Sequence, residues 1–170
     1  YEIGKLKYGK SDFAALDALL GKAQAQAQRT PSGLWRYGLV LNGVQDAIGE
    51  VDSPAGFAAA EAKARQWLAA RPDSPYAPIV LAYVYQAKAC HCAREGDRPL
   101  PPAEQKAWND KALSALSEHP RSLAVGERHA LEVQLGTALG DDEATMRAFY
   151  QDGVRVQPGY FPLRFAWIDY

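Results

Sequence analysis

AEAKARQWLAARPDSPYAPIVLAYVYQ, residues 60–86, is the stretch whose reading decides the fold. Ala60, Ala64, Trp67 and Leu68 fall on one helical face, with Phe57 ahead of them. Ser53-Pro54 opens this helix with a capping side chain and a proline at the first helical position. Pro72 lies just past its end, and Ser74-Pro75 repeats the opening signal. The next helix is apolar nearly all round over Ile79, Val80, Leu81, Ala82, Tyr83 and Val84. A helix without a polar face is buried on several sides, so this one is expected at the centre of the molecule. It is expected to stop near Gly96.

The same grammar extends in both directions. A short helix is expected over residues 1–8, ending at Gly9. Ser11 or Asp12 can cap a second, whose face is Phe13, Leu16, Leu20, Ala23 and Ala27. Thr30-Pro31-Ser32-Gly33 breaks it, and Leu34, Tyr37, Leu41, Val44 and Ile48 line the next, which closes between Gly49 and Asp52. Beyond the central helix, residues 96–102 hold three prolines and read as a loop. Helices follow over about 102–118, 122–139 and from Asp141 or Asp142 to Pro158-Gly159. Their inward sets are Trp108, Ala112, Ala115 and Leu116, then Leu131, Leu135, Ala138 and Leu139, then Met146, Phe149, Tyr150, Gly153 and Val154. A last, aromatic-rich helix begins at Tyr160.

Composition agrees with this reading. The 170 residues include 30 Ala and 17 Leu against 9 Val, 4 Ile and 3 Thr. Ala and Leu lose little entropy in a helix, and the β-branched residues that suit strands are scarce. The expected fold is all-α, one domain over residues 1–170, with about seven to eight helices in antiparallel hairpins. The length suffices to bury a core without disulfides or metals. With 19 Lys and Arg against 20 Asp and Glu, the chain lacks the basic excess that displaces counterions from nucleic acid. No apolar run approaches the roughly 20 residues that cross a bilayer. The chain begins at Tyr1 rather than Met and breaks off within an aromatic helix, as expected of a processed product or a piece of a longer chain.

An internal repeat is visible. Ala60, Ala64, Trp67 and Pro72 are spaced as are Trp108, Ala112, Ala115 and Pro120, and again Met146, Tyr150, Gly153 and Pro158. Periods of this size belong to helix-pair solenoids. Small residues in the middle let antiparallel helices approach, and the proline ends the helix and turns the chain into the next hairpin. On these residues the chain resembles the tetratricopeptide-repeat superfamily, over 60–72, 108–120 and 146–158. Leu34-Trp35 and Tyr37-Gly38 look like the Trp-Leu-Gly-Tyr signature of that family's first helix, whereas Arg128 to Thr137 does not. The resemblance implies a degenerate array of three to four hairpins stacked as a short right-handed solenoid. More loosely, Trp67, Arg71 to Pro75 and Arg94 to Gly96 are similar to a pattern in uncharacterised bacterial helical-repeat proteins.

Residues that carry chemistry are few. Cys90-His91-Cys92 would place its two sulfurs about 200° apart on a helix, so neither a shared metal nor a disulfide fits. Cys90 is expected in the core and His91 on the surface. Glu127-Arg128-His129 is expected on a solvated helix face, as are Glu61-Lys63-Arg65 and Asp110-Lys111, because sequence neighbours on a helix diverge. Gly38, Gly43, Gly126, Gly136 and Gly153 read as close-packing positions. No nucleophile elbow, phosphate loop or dinucleotide fingerprint occurs.

Tyr76, Tyr85, Tyr160 and Tyr170 fall off the main apolar stripes. Helix-pair solenoids bind partners on a concave face, and Tyr and Arg anchor interfaces. Tyr83, Tyr85, Lys88 and Arg94 are therefore the expected partner-contact residues. The expected function is a non-catalytic protein–protein interaction module: an adaptor, a toxin-neutralising protein or a secretion accessory. It needs no cofactor or metal and takes a protein or peptide, not nucleic acid or membrane. The alternatives are an enzyme with a polar site between helices, marked by a buried Glu or His of shifted pKa in a cleft, and an auxiliary domain of a larger protein. Two cysteines in one helix do not demand an oxidising compartment, so the cytoplasm is the expected location, with the periplasm or secretion after removal of a signal as the alternative.

Overall fold

The computed structural model describes residues 1–51, 53–91 and 100–168, without the side chain of His91. The described residues form nine α-helices: α1 (Glu2–Gly9), α2 (Phe13–Ala25), α3 (Arg36–Gly49), α4 (Pro54–Ala70), α5 (Ala77–His91), α6 (Pro102–Ser117), α7 (Gly126–Leu139), α8 (Glu143–Val156) and α9 (Phe161–Ile168). A 3-10 turn, Pro120–Ala124, separates α6 from α7. The chain is thus all-α, with one helix more than the expected seven to eight.

Local chemistry sets the boundaries. Asp12 accepts the Ala15 N–H, Ser53 that of Gly56 and Asp142 that of Thr145, each three residues on. Ser74 accepts the N–H groups of Tyr76 and Ala77 at 3.2 Å each. Gly140 ends α7 in the left-handed region at φ 77°. The boundary at residue 34 differs from expectation. Helix α3 starts at Arg36, so Leu34 precedes the helical face and is exposed rather than inward. Val154, also expected inward, is exposed on α8.

Each odd-numbered helix contacts the next, α1 on α3, α3 on α5, α5 on α7 and α7 on α9. The even-numbered helices pack against them: α2 on α1 and α3, α4 on α5, α6 on α5 and α7, α8 on α7 and α9. Helix α5 has the central place its sequence demands, and residues 76–85 are all buried. Trp67 is fully buried, stacked on Phe13 at 5.5 Å and near Tyr8. Such a side chain contributes on the order of 3–5 kcal/mol.

The Arg71 to Pro75 segment, notable in the sequence, is a tie. Arg71 Nε lies 3.0 Å from Asp17 Oδ2, and Ser74 Oγ donates to Asp17 Oδ1 at 2.5 Å. The turn between α4 and α5 is thereby pinned to α2. Longer ties exist as well. Gln24 donates to the Ala124 carbonyl at 2.6 Å, and Tyr37 to Gln157 at 2.5 Å.

The five glycines read as close-packing positions are all so used. A Cβ on Gly38 would meet the Tyr160 hydroxyl at 2.8 Å, and one on Gly126 would meet Gln157 at 2.7 Å. Gly43 sits against Tyr1 and Lys5 backbone, Gly136 against Met146, and Gly153 against Leu163 and His129.

Candidate functional site

Glu127-Arg128-His129, expected on a solvated face, is buried throughout: 6%, 5% and 2% exposed. The physical reason is that α7 packs against α5, α6, α8, α9 and the 3-10 turn, which cover most of its N-terminal half. The three residues point apart, as helical neighbours must, and enter two different polar networks.

Arg128 and His129 serve the first. Arg128 Nη1 donates to the Leu116 carbonyl and the Ser122 hydroxyl, each at 2.7 Å, and to the His119 carbonyl at 3.3 Å. Its Nε donates to Glu132 at 2.8 Å. His129 Nε2 donates to the Leu123 carbonyl at 3.1 Å, and its Nδ1 lies 3.0 Å from the other Glu132 oxygen. A guanidinium here satisfies the orphan carbonyls at the end of α6 and neutralises the buried carboxylate.

Glu127 belongs to the second network. One oxygen accepts the hydroxyl of Tyr83 from α5, and the other accepts that of Tyr160, which precedes α9. Tyr160 stacks on Tyr37 of α3 at 5.4 Å. Gln157 accepts from both Tyr37 and the Gly126 N–H. Gly38 and Gly126 leave the space in which the Tyr160 ring sits between α3 and α7. Burial pushes the Glu127 carboxyl above its ordinary pKa, against the pull of the two tyrosine hydrogen bonds. Burial and the Glu127 charge likewise raise the Tyr83 and Tyr160 hydroxyls.

Glu127 and Tyr160 form part of the wall of a cleft of about 330 Å³ between α3, α7 and the start of α9. Its rim is aromatic and aliphatic: Leu34, Trp35, Phe161 and Phe165. Phe161 and Phe165 are 49% and 54% exposed and meet edge to face at 4.7 Å. Asn42, Gln45 and Gln134 add side-chain amides. Gln134 is hydrogen-bonded to Gln86 of α5 at 3.1 Å. Apolar walls with a few convergent polar groups are the usual construction of a ligand site.

A second cleft, about 540 Å³ between α4, α5 and α6, is lined by Glu61, Arg65, Tyr85, Lys111, Glu118 and His119, among others. Tyr85 donates to Glu61 at 2.9 Å, and Arg65 donates to both. Partial burial would raise the Glu61 carboxyl, but hydrogen bonds from Arg65 and Tyr85 outweigh it, and its pKa is lowered. This cleft carries both charges, of which Glu61 and Arg65 are paired with each other.

Of the residues expected to contact a partner, Tyr85 and Lys88 meet at the Trp108 ring and Tyr83 lies apart from them. Tyr83 is 2% exposed and bound to Glu127, while Tyr85 is 5% exposed and bound to Glu61. Two residues apart on a helix, they face opposite sides, and the expectation that Tyr85 is exposed is corrected. Tyr76 and Tyr160, also off the apolar stripes, are buried as well. Lys88 lies over the Trp108 ring at 3.9 Å, beside Tyr85. Arg94, Cys92 and Tyr170 lie outside the described residues. Cys90, expected in the core, is exposed near the end of α5.

Glu127, Gln157 and Tyr160 were not separable in the sequence as one site. The available signal was the pair of glycines, Gly38 and Gly126, which marked where something large had to pass between helices. Among the described residues no cluster of three His, Cys, Asp or Glu is placed to hold a metal. No described helix is long and apolar enough to cross a membrane. Searches against protein families, curated proteins and solved structures return no match for this chain.

Proposed function

We propose that the chain is a non-catalytic protein–protein interaction module. In this reading its hairpins stack as a short tetratricopeptide-like right-handed solenoid, and the cleft between α3, α7 and α9 receives an extended segment of a partner protein. An adaptor, a toxin-neutralising protein or a secretion accessory would each work this way. The observation that carries the reading is the exposed Phe161 and Phe165 pair beside Leu34 and Trp35, over the amides of Asn42, Gln45 and Gln134. Aromatic side chains supply contact area at low entropic cost, and an amide can both donate to and accept from a peptide backbone.

The test is the double variant Phe161→Ser, Phe165→Ser. Both side chains are half exposed, so the fold should persist, checked by circular dichroism. A partner captured from the source cell, purified and titrated calorimetrically, should bind the variant at least 100-fold more weakly. Unchanged affinity would refute this reading.

One observation favours a second reading, an enzyme with a polar site between helices. Glu127 is a buried carboxyl of raised pKa in a cleft. The two readings separate in Glu127→Gln: a turnover abolished while partner binding persists would establish the enzyme.

A further inference from the structure

Three carboxylates are buried in the described structure: Asp17, Glu127 and Glu132. Asp17 is met by Arg71, and Glu132 by Arg128 and His129. Glu127 alone of the three makes no ion pair among the described residues. Its position in the first turn of α7 and its two tyrosine donors favour the carboxylate without neutralising it. Burial works against its ionised form, and a cation in reach would offset that cost.

The same carboxylate is the one of the three that lines the aromatic cleft. Glu127 and Tyr160 are the only ionisable groups of that lining among the described residues, and no described cation pairs with Glu127. The surrounding rings are suited to one. Aromatic faces attract ammonium and guanidinium groups, and the Arg29 guanidinium already lies 4.0 Å from the centre of the Trp35 ring while bonding the Gly33 carbonyl. The volume, about 330 Å³, is at the small end of the range of ligand sites.

We propose that this cleft is a receptor for an alkyl-linked cation, the side chain of a lysine or arginine, whose charge meets Glu127 while its alkyl arm lies on Trp35, Phe161 and Phe165. This names the partner chemistry of the site and rests on the interaction-module reading above. The complementarity is of charge. Among the described residues the cleft lining holds a carboxyl and no basic side chain, and the occupant brings the base.

The experiment titrates the full chain calorimetrically with two capped pentapeptides that differ only at the centre, lysine in one and norleucine in the other. n-Butylammonium and n-butanol form a second pair of probes. The lysine peptide is expected to bind at least tenfold more tightly than the norleucine peptide, and Glu127→Gln to remove that preference. Equal binding by the two peptides, lost in Phe165→Ser, would overturn the cation site and leave the docking reading standing. No binding by any probe at millimolar concentration would overturn both. Butylammonium binding more tightly than the lysine peptide would identify a free amine rather than a partner side chain as the source.

A pH series on the unsubstituted chain keeps the test independent of how Glu127→Gln folds. The groups facing Glu127 are Tyr83 from α5, Tyr37 from α3 and Tyr160, all with raised pKa and all protonated near neutrality. Glu127 is then the group that titrates, and the lysine preference should grow as pH rises through its raised pKa. A preference that does not grow at any pH above the ordinary carboxylate range would overturn the proposal.

Discussion

Residues 127 and 128 are neighbours on one helix and equally buried, yet their surroundings are opposites. Arg128 sits in a closed network with Glu132, Ser122 and the carbonyls that end α6. Every charge there has its counterpart, and the network's work is to hold α6, the 3-10 turn and α7 together. Glu127 sits in a network of neutral donors and lines an open cleft. Burial alone does not mark a site. Unbalanced charge with access does.

The comparison breaks most visibly at Arg128. Arg128→Met leaves Glu132 buried without the guanidinium that faces it and should cost about 3–5 kcal/mol in urea unfolding. Adding Glu132→Leu should recover a large part of that loss. A cost below about 1 kcal/mol for the single variant would show that the closed network is not structural. Gly38→Ala tests the other network at its frame. Its Cβ would press on Tyr160, and a loss of about 1–3 kcal/mol is expected in the same measurement.

Glu127→Gln sharpens the contrast through pH. A raised carboxyl pKa means that the folded state holds a proton the unfolded chain has released. Stability of the unsubstituted chain should therefore fall as pH rises from the ordinary carboxylate range through the raised value, at up to about 1.4 kcal/mol per pH unit. The variant should show a flatter melting profile from pH 4 to 8. The smallest effect belongs to Lys88→Met. Lys111 lies over the same Trp108 ring at 3.9 Å, so thermal unfolding should register less than about 1 kcal/mol.

Much of the helical framework was legible in the sequence because its signals are local. Asp12, Ser53 and Asp142 cap the helices they precede, and the apolar run from Ile79 to Val84 is central. The candidate site was not legible. It joins Tyr37, Tyr83, Glu127 and Tyr160, which no periodicity relates. Its decisive contact, Tyr160 beneath Gly38, depends on how the chain returns over more than a hundred residues. The mistaken expectation of a solvated Glu127-Arg128-His129 has the same origin. Three polar residues in a row look exposed unless the neighbours on every side are known. Leu34 errs the other way, because helical stepping was extended across a helix start it does not reach.

The ties from Gln24 to Ala124 and from Tyr37 to Gln157 have a bearing on how the molecule comes apart. A strictly one-dimensional array, in which each hairpin meets only the next, can fray from an end. Here early helices grip late ones, so peeling α9 away also uncovers α3. Amide hydrogen exchange should then give α3 and α7 a common opening free energy, the behaviour of one cooperative foldon rather than a ladder of separate rungs.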